Sequence, residues 1–157
     1  MTHLKTLIPA FGFALLALTG CQEVAKTNSD APDSTANQVV ETPTTTGAKS
    51  SQDDATSKIR RDQLNSDIRA REQRNDTVNQ GGAIGRSDTD LASEVRSKLE
   101  ANLPASALAV TAKSGAVMVM GTVPTQAQFD RIGGLAKAIK GVGAVTMKVT
   151  VAPAKAN

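Results

Sequence analysis

Cys21 is the only thiol in a chain of 157 residues, and His3 is the only imidazole. A thiol is the most nucleophilic side chain available near neutral pH, so its surroundings decide what chemistry it can enter. Cys21 follows Leu18-Thr19-Gly20, two small residues behind a leucine. Before these, an apolar run from Leu7 to Leu18 is interrupted only by Pro9 and Gly12, and it is preceded by Lys5. A basic start, a short apolar stretch and small residues before a cleavage point form a secretory signal. The run is too short to span a bilayer comfortably. Residues 1–20 are therefore read as a signal peptide. His3 leaves with it, and no His, Trp or Tyr follows. Without His or a second Cys, neither Ser-His-Asp nor Cys-His catalysis can be assembled. His- and Cys-based zinc sites are excluded on the same ground. The remaining acids are scattered rather than paired. The reading is not an enzyme, with no cofactor and no metal.

Leu18-Thr19-Gly20-Cys21 resembles the lipobox of bacterial lipoproteins. That resemblance implies lipidation of Cys21 as the first residue of the mature chain, and hence a membrane anchor. Gln22 stands where an aspartate tends to retain such proteins in the inner membrane of enteric bacteria. The expected location is therefore the cell envelope, lipid-anchored in the outer membrane and facing the periplasm.

Behind the anchor the composition changes several times. Residues 21–57 are rich in Thr, Ser, Asn, Asp, Ala and Pro, with six acids and two lysines from Gln22 to Ser57. So little apolar surface cannot offset ordering entropy, which predicts a disordered linker. Its root-mean-square reach would be on the order of 35 Å. Residues 58–80 lack Gly and Pro until the end and favour helix. Lys58/Asp62 and Asp67/Arg71 stand four apart, but Ile59, Leu64 and Ile68 make only a thin apolar stripe. The segment is read as charged and helical in tendency: a solvated or fraying helix, a surface-lying basic helix, or one held by a weak coiled-coil seam. A glycine-rich connector covers 81–87.

Residues 88–152 carry clear periodicities. Ser87-Asp88-Thr89-Asp90 is an N-cap signal, and Leu91, Val95, Leu99 and Leu103 line one helical face before Pro104. Leu108, Val110 and Ala112 alternate as in a half-buried strand, and a turn at Lys113-Ser114-Gly115 leads to a second strand over 116–123. A helix from Pro124 to about Lys140 places Phe129, Ile132, Leu135, Ala136 and Ile139 on one arc. Gly133 and Gly134 inside it are read as permitting close packing on the sheet, or as leaving a flat surface for a partner. Glycines at 141 and 143 end it. Val145, Met147, Val149 and Val151 then alternate. The fold class is α+β: a small αββαβ domain with two helices on one face of a three-stranded mixed sheet. Residues 153–157 form a tail.

Two segments resemble a known family. Gly115-Ala116-Val117-Met118-Val119-Met120-Gly121-Thr122-Val123 is similar to the glycine-flanked hairpin strand of the BON domain family. Lys140-Gly141-Val142-Gly143-Ala144-Val145 is similar to its helix-to-strand signature. Gly115, Val117, Gly121, Val123, Gly141, Val142 and Val145 carry the resemblance, which covers about 88–152. Many members have two copies of the domain, and this chain has one. The family implies an envelope or periplasmic protein associated with osmotic stress, outer-membrane integrity and binding to anionic phospholipid. It implies no catalytic residues. On that basis the expected lipid contact is Gly133, Lys137 and Lys140 on the second helix, with Lys148 on another surface. The alternative is a protein-interaction or chaperone-like periplasmic module that binds envelope proteins without lipid. No nucleic-acid partner is expected.

Overall fold

The structure is a computed structural model that describes residues 24–36 and 40–156. Cys21 and the signal segment lie outside the described residues. The elements are β1 (Ala25–Lys26), α1 (Thr45–Thr56), α2 (Lys58–Asn79), α3 (Asp88–Asn102), β2 (Ala107–Lys113), β3 (Ala116–Val123), α4 (Gln126–Lys137) and β4 (Ala144–Val151).

The helix–strand–strand–helix–strand order from α3 to β4 follows from the sequence periodicities. Ser87 caps α3, its side chain accepting from the Asp90 N–H at 3.4 Å. Thr125 caps α4 in the same way, accepting from Gln128 at 3.3 Å. These oxygens satisfy backbone donors that a helix start leaves unpaired. β2 and β3 form an antiparallel hairpin, pairing Lys113 with Ala116 across the turn. Ser114 and Gly115 both have positive φ there, 48° and 81°, as a two-residue hairpin turn requires. β3 and β4 are parallel, from Ala116↔Ala144 to Val123↔Val151, with α4 as the crossover. Leu91, Val95 and Leu99 of α3 pack with Leu108 and Val110 of β2, Val117, Val119 and Val123 of β3, and Ile132 and Ala136 of α4. Burying each large side chain contributes about 1.5–3 kcal/mol, which makes this layer the main source of stability.

Three features differ from the sequence expectation. First, the sheet has four strands in the order β1-β2-β3-β4. Within the stretch expected to be a disordered linker, β1 pairs with the open edge of β2, and α1 is a 12-residue helix. Composition could not show this, because the docking is polar. Thr27 donates to the Ser106 carbonyl and accepts from the Leu108 N–H at 2.9 Å, while the Thr27 N–H donates to the Leu108 carbonyl at 2.9 Å. Thr35 and Thr111 share a hydroxyl hydrogen bond of 2.8 Å. Both side-chain parities of β2 are therefore buried up to Ala112. The tail is also engaged: Lys155 exchanges backbone hydrogen bonds with Pro43 and Thr45.

Second, α2 docks on α3, which removes the solvated reading of this helix, and the contact is mostly ionic rather than an apolar seam. Only Leu64 of its apolar stripe is fully buried, while Ile59 is 74% exposed. Charge holds the rest. Asp90 accepts from Arg71 at 2.7 Å and also from Arg74; Asp67 accepts from Ser97 at 2.8 Å and Arg96 at 3.4 Å; Glu100 accepts from Arg60 and Arg96. Third, α4 stops at Lys137, short of Lys140. The Ile139 N–H bonds the Ala136 carbonyl three residues back, tightening the last turn, and Gly141 at φ 94° reverses the chain.

Candidate functional site

Two of the family-motif glycines, Gly115 and Gly141, converge at one end of the molecule. Gly115, in the β2–β3 turn, accepts from the Gly143 N–H at 2.9 Å in the α4–β4 turn. Gly141 lies against the connector before α3. A Cβ there would sit 2.8 Å from the Ala83 carbonyl oxygen and 2.8 Å from Arg86 Cδ, so the close approach demands glycine. Arg86 ties the joint together, donating to the Lys140 carbonyl at 2.6 Å and to Glu94. Both side chains of the Arg86–Glu94 pair are at most 1% exposed. Burial pushes the Glu94 carboxyl above its ordinary range, against the opposing pull of the Arg86 hydrogen bond and charge.

Gly121 serves a different purpose, near the open end of the hairpin opposite Leu108. A Cβ there would fall 1.9 Å from the Ala107 carbonyl oxygen. Val117 and Val123 are core residues, and Val142 and Val145 pack against that core. The motif residues thus build the scaffold and its joint rather than a reactive centre.

Beside the joint is a cleft of about 740 Å³, lined by Ile84, Leu91, Ser114, Ala116, Gly141 and Ala144 among others. Its walls are apolar side chains and backbone, with Asp88 engaged by the Ser114 N–H at 2.6 Å. Among the described residues no group of three His, Cys, Asp or Glu side chains could hold a metal ion.

Gly133, Lys137 and Lys140 are brought to the outer side of α4 and its C-terminal turn. Lys137 and Lys140 are exposed. The cations paired with carboxylates across the α2–α3 contact and the joint are Arg60, Arg71, Arg74, Arg86 and Arg96. Lys137 and Lys140 stand apart from that network. The two glycines do not permit close packing on the sheet: a Cβ at Gly133 or Gly134 would meet nothing within 4 Å. Of the two readings of these glycines, the flat open surface is the one with geometry behind it. Lys148 is exposed on β4, away from this ridge in the sheet.

Sequence reasoning missed Ile84. It is 91% exposed, in the connector that packs against Gly141. The ammonium of Lys140 lies near the same connector, 3.7 Å from where a Cβ on Gly81 would be. An isoleucine within Gly81-Gly82-Ala83-Ile84-Gly85 was the available signal: glycine-rich connectors have little reason to hold a large apolar side chain unless it is covered or used. Arg86 and Glu94 were also missed, because two charges at a helix start look like surface residues until the burial is known.

A family model matches residues 87–153, and that family is described as the BON domain. Comparison with curated proteins and with solved structures finds no match.

Proposed function

We propose, taking the BON domain formed by residues 87–153 as the premise, that this chain is a membrane-anchored envelope lipoprotein. In this reading the BON domain binds anionic phospholipid and supports envelope integrity or stress tolerance, with no chemistry of its own. The observation that carries it is the exposed ridge of α4. Two lysines outside the ion-pair network flank glycines with empty space above them, and the exposed Ile84 lies in the connector nearest to Lys140. Lysine stems can lie along apolar surface while their ammonium groups reach phosphate oxygens. An exposed isoleucine beside them can enter the acyl boundary. Each basic group near an anionic membrane is worth roughly 1 kcal/mol, weakened by salt. Such a contact is weak alone, and a lipid on Cys21 would raise its effective concentration. The anchor is assigned to Cys21 from the lipobox-like Leu18-Thr19-Gly20-Cys21; among the described residues no helix is long and apolar enough to cross a membrane.

The test is flotation with phosphatidylglycerol vesicles at low and high salt, comparing wild type with Lys137→Glu/Lys140→Glu. Binding that falls with salt and is lost in the double variant is expected. Equal binding of both proteins removes the α4 ridge from the contact, and no binding of wild type removes the lipid reading in favour of a protein-interaction module. For the anchor, Cys21→Ser should release the protein from the membrane fraction or leave its precursor uncleaved.

A further inference from the structure

β4 is the long edge of the sheet, and among the described residues its strand partner is β3 alone. Natural edges are usually blunted by proline, bulges or several charges. The eight residues Ala144–Val151 contain no proline, their register with β3 is unbroken, and Lys148 is their single charge. Met147 and Val151 are 41% and 36% exposed. Such an edge is a template for another strand, and the sequence of β4 specifies which one.

In a parallel pair, alternate residues direct both N–H and C=O to the same neighbour. The Ala144 N–H donates to Gly115 and the Ala152 N–H to Val123, both on the β3 side. Even-numbered residues therefore bond β3. Val145, Met147, Val149 and Val151 present their backbone groups outward. An antiparallel partner must match outward residues with outward residues. For a second β4 related by a two-fold axis, two registers pair most of the strand. One centres on Lys148 and sets two ammonium groups directly opposite each other. The other centres on Met147. It pairs Met147 with Met147, Val145 with Val149, and Lys148 with Thr146, so the apolar side chains meet on one face and no like charges oppose.

We propose that two copies of this chain associate through β4, antiparallel and centred on Met147, joining their sheets into one. The surface is self-complementary, as a two-fold interface requires. The Met147 pair is a hydrogen-bonded pair, with Cα atoms about 5.5 Å apart, within the range a disulfide can bridge.

The experiment uses the full chain in the envelope of an expressing bacterium, under mild oxidation, read on non-reducing gels. Met147→Cys should give a disulfide-linked dimer, while wild type, with Cys21 only, should not. Lys148→Cys should link poorly, since its own copy is offset by two residues. Combined with Met147→Cys, Thr146→Lys should lower the dimer yield and Thr146→Glu should raise it. The corresponding change in association constant is roughly two- to thirtyfold, from two facing Thr146–Lys148 pairs per dimer. Failure of Met147→Cys to link, linkage to a different protein instead, efficient linkage through Lys148→Cys, or no difference between the Thr146 variants would each overturn the proposal.

Discussion

Gly121 and Gly134 show how one residue type can meet opposite demands within a single domain. At Gly121 the Ala107 carbonyl occupies the space of a side chain, and φ is 138°. Alanine must displace backbone, so Gly121→Ala is expected to destabilise the domain by several kcal/mol, beyond the 1–3 kcal/mol typical of overpacking. Gly134 is helical and has open space above it. Gly134→Ala gains helix propensity and should stabilise by about 0.5–1 kcal/mol. Thermal melts of the two variants should move in opposite directions. Equal destabilisation would mean that Gly134 is packed against something in solution. The sequence marks both as glycines inside regular elements and cannot separate them, because the distinction lies in what stands opposite each one.

Elements held by apolar periodicity were legible, and elements held by polar contacts were not. Leu91, Val95 and Leu99 and the arc from Phe129 to Ile139 show their buried face through spacing alone, and the alternation from Leu108 to Ala112 shows a strand but not that its other face is buried too. α2 shows a helix but hides its docking, because its contacts to α3 are Arg60, Asp67, Arg71 and Arg74, residues that look solvated by type. The candidate site was half legible for a related reason. The helical wheel offers Lys137 and Lys140 as exposed candidates, although Lys140 lies in the turn beyond α4, whereas Ile84 becomes significant only when its connector is seen against Gly141. Charge-held docking also makes α2 sensitive to acid. Burial alone would raise the Asp67 pKa, but hydrogen bonds from Arg71 and Ser97 and the charges of Arg71 and Arg96 outweigh it and hold the carboxyl below its ordinary value. The folded state thus binds this proton less readily than the unfolded chain. The stabilisation is complete above the unfolded pKa, about 3.9, and is lost as pH falls through the lower folded value. Hydrogen exchange of α2 amides, corrected for intrinsic rates, should accelerate relative to β3 as pH falls from about 5 to about 2. Asp67→Asn should already exchange faster at pH 6 and respond less to acid. If wild-type α2 tracks β3 across this range, the ion pairs do not hold it.

At the scale of the whole molecule, β1 changes what an anchor at Cys21 would do. A disordered linker through residue 57 would let the domain roam tens of ångströms from its membrane. With Ala25 already paired to Val110, three residues separate Cys21 from the sheet, four Cα steps that span at most about 14 Å. A lipid on Cys21, as proposed above, would then hold the domain against the bilayer, where a weak contact by the α4 ridge operates at high effective concentration. Thr27 is the residue on which this geometry depends, since its side chain serves both the Ser106 carbonyl and the Leu108 N–H while 6% exposed. Thr27→Val keeps the shape and removes both hydrogen bonds; the Ser106 carbonyl keeps Asn28 Nδ2 at 2.8 Å, but the buried Leu108 N–H loses its acceptor, at a cost of about 1–3 kcal/mol. Thr27 is not among the apolar core residues from α3 to β4 and meets that domain at the outer edge of β2, so the loss should fall mainly on β1 docking. Trypsin should then cut after Lys26, which in the wild type is held by Asp33 at 2.8 Å and by the neighbouring strand, several-fold faster in Thr27→Val. Fragments from cleavage within 88–152 should appear no sooner than in wild type. Equal cleavage after Lys26 in both proteins would show that β1 is not docked in solution, and the short-anchor geometry would fall with it.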